Sequence, residues 1–371
     1  MNEKKICASC IQDDYLGYHI KENGNKDVCG FCGKKRIVMY IDDMVRLIQD
    51  GIEFIYDDPT NGLGWMDGEW VGMVKDTYDI LVEETDIGTS PAFNSILDSL
   101  PTNQWCKKEF YGPDDSEEMY FTWEFFIRQV KYKTRFFFIQ DKTKIGEYSR
   151  FKKPYEILKE LIRVFENLNL FTDLDKRTTI YRVRKEKKSG DYYTPEQLGS
   201  PSPENCIYSN RMSPAGISMF YGSEDKETCF LEIGAKKGIF AVGEWLLNDK
   251  VKILDLTKDF NWNNGYYYYP DFPSIFDESR RYLYHDYAFI LKFANDLSKK
   301  VTKNQMENID YVPTQIITEY LRVIAQNMNI KGICFYSSLN GHKNYCLFFD
   351  DKDCKNSAGI ELKSVNEEDI K

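Results

Sequence analysis

Residues 210–233, NRMSPAGISMFYGSEDKETCFLEI, predict a turn, a short strand, a tight polar break and then a helix. Pro214 and Gly216 mark the bend, residues 218–221 are a brief apolar and aromatic run, and residues 222–225 interrupt it. The helix that follows carries Cys229, Phe230 and Ile233 as apolar anchors, with Glu232 among them. A carboxylate at such a position is expected to be buried, which is costly unless it has a partner or a chemical task. Arg211, Tyr221 and Glu232 within this span point to a ligand that is anionic and carries an aromatic ring. On spacing alone, the competing reading of an ordinary strand–helix unit with a surface glutamate carries more weight.

Three other pieces change that balance. Upstream lies Ile180-Tyr181-Arg182-Val183, and downstream lie residues 310–315, DYVPTQ, with Glu319-Tyr320. Last comes Gly332-Ile333-Cys334-Phe335-Tyr336-Ser337. In this order the four pieces resemble the RES-domain family, named for its arginine, glutamate and serine. That family writes G-R-[WM]-N-P-x-G-x-x-[VIM]-x-Y before the helix holding its glutamate. Arg211, Met212, Pro214, Ala215, Gly216 and Tyr221 fall in register, and Glu232 follows at the expected distance. Asn210 replaces the usual glycine, Ser213 replaces the usual asparagine, and no arginine follows soon after Ser337.

The resemblance implies a fold related to ADP-ribosyltransferases and NAD as the substrate. It implies Glu232, Ser337 and Tyr221 as catalytic residues, with Arg182, Arg211, Tyr221 and Ser337 binding NAD. Glu232 would steady an oxocarbenium-like ribose, because the nicotinamide leaving group is already cationic and needs no general acid. Arg182 and Arg211 would offer bidentate donors to the pyrophosphate. Ser337 would orient the ligand or Glu232; no Ser–His–acid set is evident, and His342 beside Gly341 reads as a loop residue. Arg184 shares Arg182's face of the strand and is a lesser phosphate candidate. The expected function is an NAD-cleaving enzyme, a glycohydrolase or phosphorylase acting as a growth-arresting toxin or defence effector. An ADP-ribosyltransferase with a macromolecular target and a non-catalytic zinc-module adaptor are the alternatives. A neutralising antitoxin or regulatory protein is the partner that the resemblance implies, and the oligomeric state stays open.

The N-terminal residues carry a separate signal. Cys7, Cys10, Cys29 and Cys32 form C-x2-C-x18-C-x2-C, the spacing of a four-thiolate zinc site. Four thiolates close the coordination shell, so the zinc is expected to be structural. The other six of the ten cysteines show no common spacing and read as packed thiols. Residues 1–10, MNEKKICASC, lack an apolar leader core, and no run approaches the roughly 20 apolar residues of a membrane span. A reducing, cytoplasmic setting is therefore expected, where cysteines serve as ligands or buried thiols rather than disulfides.

The 371 residues are enough for more than one domain, and a net charge of −10 argues against phosphate-backbone binding as the main function. Helical spacing of apolar residues over 42–55, 69–82, 91–100, 117–130 and 154–168 predicts a largely helical interval. It resembles the HEPN-type region that precedes RES domains. The first half's single histidine, His19, lies beside the zinc pattern, so the R-x4–6-H motif of HEPN ribonucleases is absent from the helical interval. Arg280 and His285 match that spacing formally and are read as coincidence. From residue 178 the texture changes to short β-branched and aromatic runs, at 179–184, 218–221, 239–242, 252–256, 332–336 and 345–350. The expected architecture is α+β: a zinc module at 1–40, a helical HEPN-like domain at 41–172 and a RES domain at 173–371.

Overall fold

The computed structural model describes residues 4–110, 112–140, 142, 144–145, 149–186, 188–258, 260–263, 266–268, 272–298, 307–324 and 326–371. Helices and strands mix throughout, in two compact units. One unit is Met1–Ser116 with Phe272–His285, the other Glu117–Asp271 with Asp286–Lys371.

The first unit begins with a small antiparallel sheet of β1 (Lys5–Cys7), β2 (Asn25–Val28) and β3 (Lys35–Tyr40), with β3 central. Helix α1 (Asp14–Asn23) is started by Asp13, whose carboxylate accepts from the Leu16 N–H at 2.9 Å. Helix α2 (Ile41–Ile55) buries Ile41, Met44, Val45, Ile48 and Ile52, the single face that its spacing predicts. Ile275 and Phe276 complete this core, which is why residues 272–285 belong to the first unit despite their place in the chain. Arg280 and His285 lie in this segment, and His285 stands 3.7 Å from Asp114.

Residues 69–82 depart from the predicted helix. Gly64–Met66 and Glu69–Val71 form a hairpin, Lys75–Asp76 is a short strand, and the helix is Thr77–Glu83. The cause is the Asp67-Gly68 pair, with φ of 53° and 86°, which makes a two-residue hairpin turn that overrides the apolar spacing.

In the second unit, helix α3 (Asp115–Tyr132) buries Met119, Trp123, Phe126 and Val130. Helix α4 (Ile157–Asn167) buries Leu161, Val164 and Phe165 in the same unit. The eight-stranded sheet runs β11-β7-β5-β6-β10-β9-β8-β4. In chain order these are β4 (Phe171–Leu174), β5 (Thr179–Lys185), β6 (Phe220–Ser223), β7 (Gly238–Leu247), β8 (Val251–Asp255), β9 (Gly332–Tyr336), β10 (Lys343–Leu347) and β11 (Ile360–Ile370). All neighbours are antiparallel except β8 with β9. Ile180, Phe220, Trp245, Ile253 and Leu347 form a core of this unit. A smaller core of Val183, Cys229, Phe240 and Val242 is made with helix α5 (Lys226–Glu232).

β5 and β6 are joined at one residue pair, Tyr181 with Ser223. Gly222 permits the approach, because a Cβ there would lie 2.5 Å from Ile180 Cγ2 and 2.6 Å from the Tyr181 carbonyl. Gly222→Ala is therefore expected to cost about 1–3 kcal/mol by overpacking, read as a lower denaturant midpoint. An unchanged midpoint would mean that the two strands separate without penalty.

Candidate active site

A cavity of about 480 Å³ lies along the seam between β5 and β6, lined among others by Arg182, Arg211, Tyr221, Glu232, Tyr311 and Asn344. These six residues come from six different strands, helices and loops, so the site exists only in the folded unit.

Arg182 sits mid-strand on β5, opposite Gly243 of β7. Its Nε donates to the Leu198 carbonyl at 2.9 Å and its Nη1 to the Tyr221 carbonyl at 2.5 Å. These are carbonyl partners, so its charge is not cancelled by them. Burial, and then the neighbouring Arg184, pull its pKa down to about 9, which leaves it a cation at neutral pH. Arg184 stacks on Tyr192 and donates to the Gly199 carbonyl at 2.7 Å; it is not among the cavity-lining residues.

Arg211 is carried by an irregular loop that helix α6 (Tyr284–Ser298) and helix α7 (Val312–Glu319) hold in place. Thr314 Oγ1 donates to the Arg211 carbonyl, and Gln315 Nε2 to the Asn210 carbonyl at 2.9 Å. The Arg211 guanidinium donates to the Leu297 carbonyl and lies 5.7 Å from the Tyr311 ring centre. Gly216, at φ 85°, makes the turn before β6. Both departures from the family pattern have places in this loop. Ser213 is buried, its hydroxyl 2.9 Å from the Tyr221 hydroxyl, while Asn210 acts through its main chain. Burial holds the Tyr221 phenol well above its usual range, so it stays neutral.

Glu232 differs from expectation in its environment. The sequence predicts a buried carboxylate, but the residue is exposed, at the end of a helix of only seven residues. Asp225 caps α5 by accepting from Thr228 N–H at 2.8 Å, which turns Cys229 inward and leaves Leu231, Glu232 and Ile233 outside the core. The carboxylate is nevertheless fixed. Ser337 Oγ and Asn344 Nδ2 both donate to its Oε1, at 2.6 and 2.7 Å. No hydrogen bond is made by Oε2 among the described residues.

Ser337 is 1% exposed, behind Glu232 and not on the cavity wall. It closes β9 at a tight turn, where its N–H donates to the His342 carbonyl at 2.8 Å. Asn340 Nδ2 ties this turn to α5 through Thr228 Oγ1 at 2.8 Å. His342 lies in the turn with Glu224 at 4.0 Å, the loop position expected for it. Asn344, on β10, was missed by the sequence reading. Its signal is a lone amide in an otherwise apolar and aromatic run, NYCLFF, just after the serine hairpin.

A second cluster lies in the first unit. The sulfurs of Cys7, Cys10, Cys29 and Cys32 all fall within 4.8 Å of one another. Cys7 is 3.7 Å from both Cys10 and Cys32, and Cys29 is 3.8 Å from Cys10. A tetrahedron with metal–sulfur bonds of about 2.3 Å has edges of about 3.8 Å, so the donor set fits a metal ion. Gly33, at φ 67°, closes the second turn by donating to the Cys29 carbonyl at 2.9 Å.

Comparison with known families agrees with this geometry. HEPN/RES N-terminal domain 1 matches residues 22–144, and the RES domain matches residues 179–362. The chain belongs to the RES-domain family, with a HEPN/RES N-terminal domain ahead of the RES domain. No curated protein matches it. Among solved structures, the M. tuberculosis MbcT–MbcA toxin–antitoxin complex contains a similar chain of 10% identity, with a TM-score of 0.32. The match covers 56% of this chain and 92% of that one. Among the described residues, no helix is long and apolar enough to cross a membrane.

Proposed function

We propose that the chain cleaves NAD at the bond between nicotinamide and ribose, passing ADP-ribose to water or inorganic phosphate, and that it acts as a growth-arresting toxin or defence effector. The observation that carries this reading is the doubly held Glu232. Two donors fix one oxygen and leave the other to a cavity that Arg182, Arg211 and Tyr221 also line. NAD matches that mixture of charge: its pyrophosphate is anionic, and its nicotinamide is a cationic aromatic ring.

In this reading Arg182 and Arg211 hold the pyrophosphate and Tyr221 offers its ring to the nicotinamide ribose. The C1′–N bond breaks with its electron pair leaving on nicotinamide, which departs neutral. Positive charge then builds on the ribose, and the free oxygen of Glu232 stabilises it while accepting from a ribose hydroxyl. Water or phosphate bonds to C1′ and releases its proton to solvent. A neutralising antitoxin or regulatory protein is the expected partner for such an activity in a living cell.

The test is incubation of the protein with labelled NAD, with and without phosphate. Released nicotinamide supports the reading, and its absence under every acceptor condition rejects it. A transferase acting on a macromolecule is the second reading. It is favoured by the exposed Ile207, Tyr208, Leu231 and Ile233, of which Tyr208 and Ile233 line the cavity. Label that enters protein or nucleic acid only when lysate is added would select it.

Asn344 gives a narrower prediction. Asn344→Asp keeps the shape but puts a like charge where a donor met Glu232. Turnover is expected to fall about tenfold or more with little change in KM. Wild-type turnover would mean that Ser337 alone holds the carboxylate.

We further propose that the four-cysteine cluster holds a structural zinc ion. Zinc bonded to four thiolates would fasten the turns before α1 and between β2 and β3, with no position left open for substrate.

A further inference from the structure

We infer that the hairpin formed by Gly64–Met66 and Glu69–Val71 is a docking surface for a cationic, apolar segment of a partner protein, and that this is a recognition role of the first unit. The hairpin is presented rather than packed: Trp65 is 60% exposed, Met66 63%, Val71 46% and the following Met73 89%. Its shape is fixed in advance, because Asp67 and Gly68 both take positive φ and hold the two strands in a tight turn. Trp65 and Trp70 pair across the strands, edge to face, with ring centres 4.7 Å apart and planes at 78°. Two indole rings at that angle make a corner whose walls are electron-rich faces.

The indole N–H of Trp70 is already used, donating to Gln104 Oε1 at 3.0 Å. What the corner offers a partner is therefore ring surface, which attracts a cation. The charges along this stretch of chain are mainly acidic. Residues 64–84 contain Asp67, Glu69, Asp76, Asp79, Glu83 and Glu84 against Lys75 alone. That lysine is bound to Glu83 at 3.2 Å and Glu84 at 2.6 Å. Gln104 reaches Asp76 at 3.5 Å, which places a carboxylate next to the Trp70 side of the corner.

An acidic setting repels phosphate, so nucleic acid and anionic lipid are poor occupants. It would also repel a second copy of the same hairpin. A segment with a lysine or arginine for the corner and apolar neighbours for Met66, Val71 and Met73 satisfies both the charge and the exposed surface. The hairpin belongs to the first unit and the cavity residues to the second, and the inference stands whether or not NAD is the substrate.

The test uses the full chain and a fluorescent amphipathic lysine–leucine peptide of about a dozen residues, followed by polarisation. Two control peptides have the lysines replaced by glutamate or the leucines by serine. The lysine–leucine peptide is expected to bind about tenfold or more tighter than either control, and more weakly as salt rises. Met73→Ser is expected to weaken it about fivefold or more with an unchanged melting temperature, since that side chain is exposed, and Trp65→Ala, which also removes the ring pair with Trp70, is expected to weaken it as much with a cooperative melting transition kept. Asp67→Asn/Glu69→Gln is expected to flatten the salt dependence. Equal binding of the leucine-to-serine peptide would reduce the effect to bulk charge and overturn the inference. So would no binding, or full binding by Trp65→Ala. Self-association lost in Trp65→Ala would assign the hairpin to a second copy, and uptake by zwitterionic vesicles would assign it to a lipid surface; either result overturns the inference.

Discussion

Glu232→Gln is expected to lower nicotinamide release by about a hundredfold or more while NAD affinity changes by less than about threefold. The substitution keeps the volume and the bonds to Ser337 and Asn344, because the new amide can present its oxygen to both donors. Its NH2 group then stands where the free oxygen was. An acceptor facing the ribose becomes a donor, and the negative potential that steadies the forming cation is gone. Steady-state turnover and equilibrium binding of NAD, measured on the same preparations, separate the two effects. Unchanged turnover would overturn the catalytic assignment. Weaker binding at full turnover would make Glu232 a substrate-holding group instead.

Metal removal is the second large effect. Protein purified without chelator should contain about one zinc per chain, and Cys29→Ser or strong chelation should unfold the β1–β3 sheet. Structural zinc sites contribute an apparent ~10–16 kcal/mol in small peptides, as much as or more than the ~5–15 kcal/mol stability of a whole domain. Cys7, Cys10 and Cys29 are buried, so without an ion they become packed thiols in a sheet of only three short strands. The expected observation is early proteolysis within the first 40 or so residues and loss of the unit's cooperative transition. Zinc-free protein with the same melting profile would remove the metal from the account.

The legible parts of the sequence are those where chemistry and local geometry coincide. The cysteine spacing led directly to four converging sulfurs. The strand at 332–336 and the helix at 226–232 follow from short runs bounded by turn residues. Helix α2 follows from its apolar spacing. Other features depended on tertiary context. The strand β11, IELKSVNEEDI, is an edge strand whose charged residues hide its alternation, and the sequence reading passed over it. At 69–82, helical spacing competed with an Asp-Gly turn, and the turn prevailed. Glu232 was placed correctly on its helix but wrongly in burial, because periodicity says which face a residue shares and not where the helix stops. Asn344 was passed over for a related reason: its role is defined by Glu232, which is far away in sequence.

That separation has a kinetic consequence. Glu232 meets its two donors across 105 and 112 residues, and β6 pairs with β10 through Tyr221 and Cys346. Contacts so distant along the chain close late and slowly, because long loops must be ordered before any bond rewards them. During synthesis, both arginines and the glutamate emerge well before anything can hold the carboxylate. A nascent or prematurely terminated chain that stops short of residue 337 carries most of the named residues and no assembled site. For a chain whose proposed activity endangers the cell that makes it, the order of the segments delays any harm until nearly the whole sheet has been made.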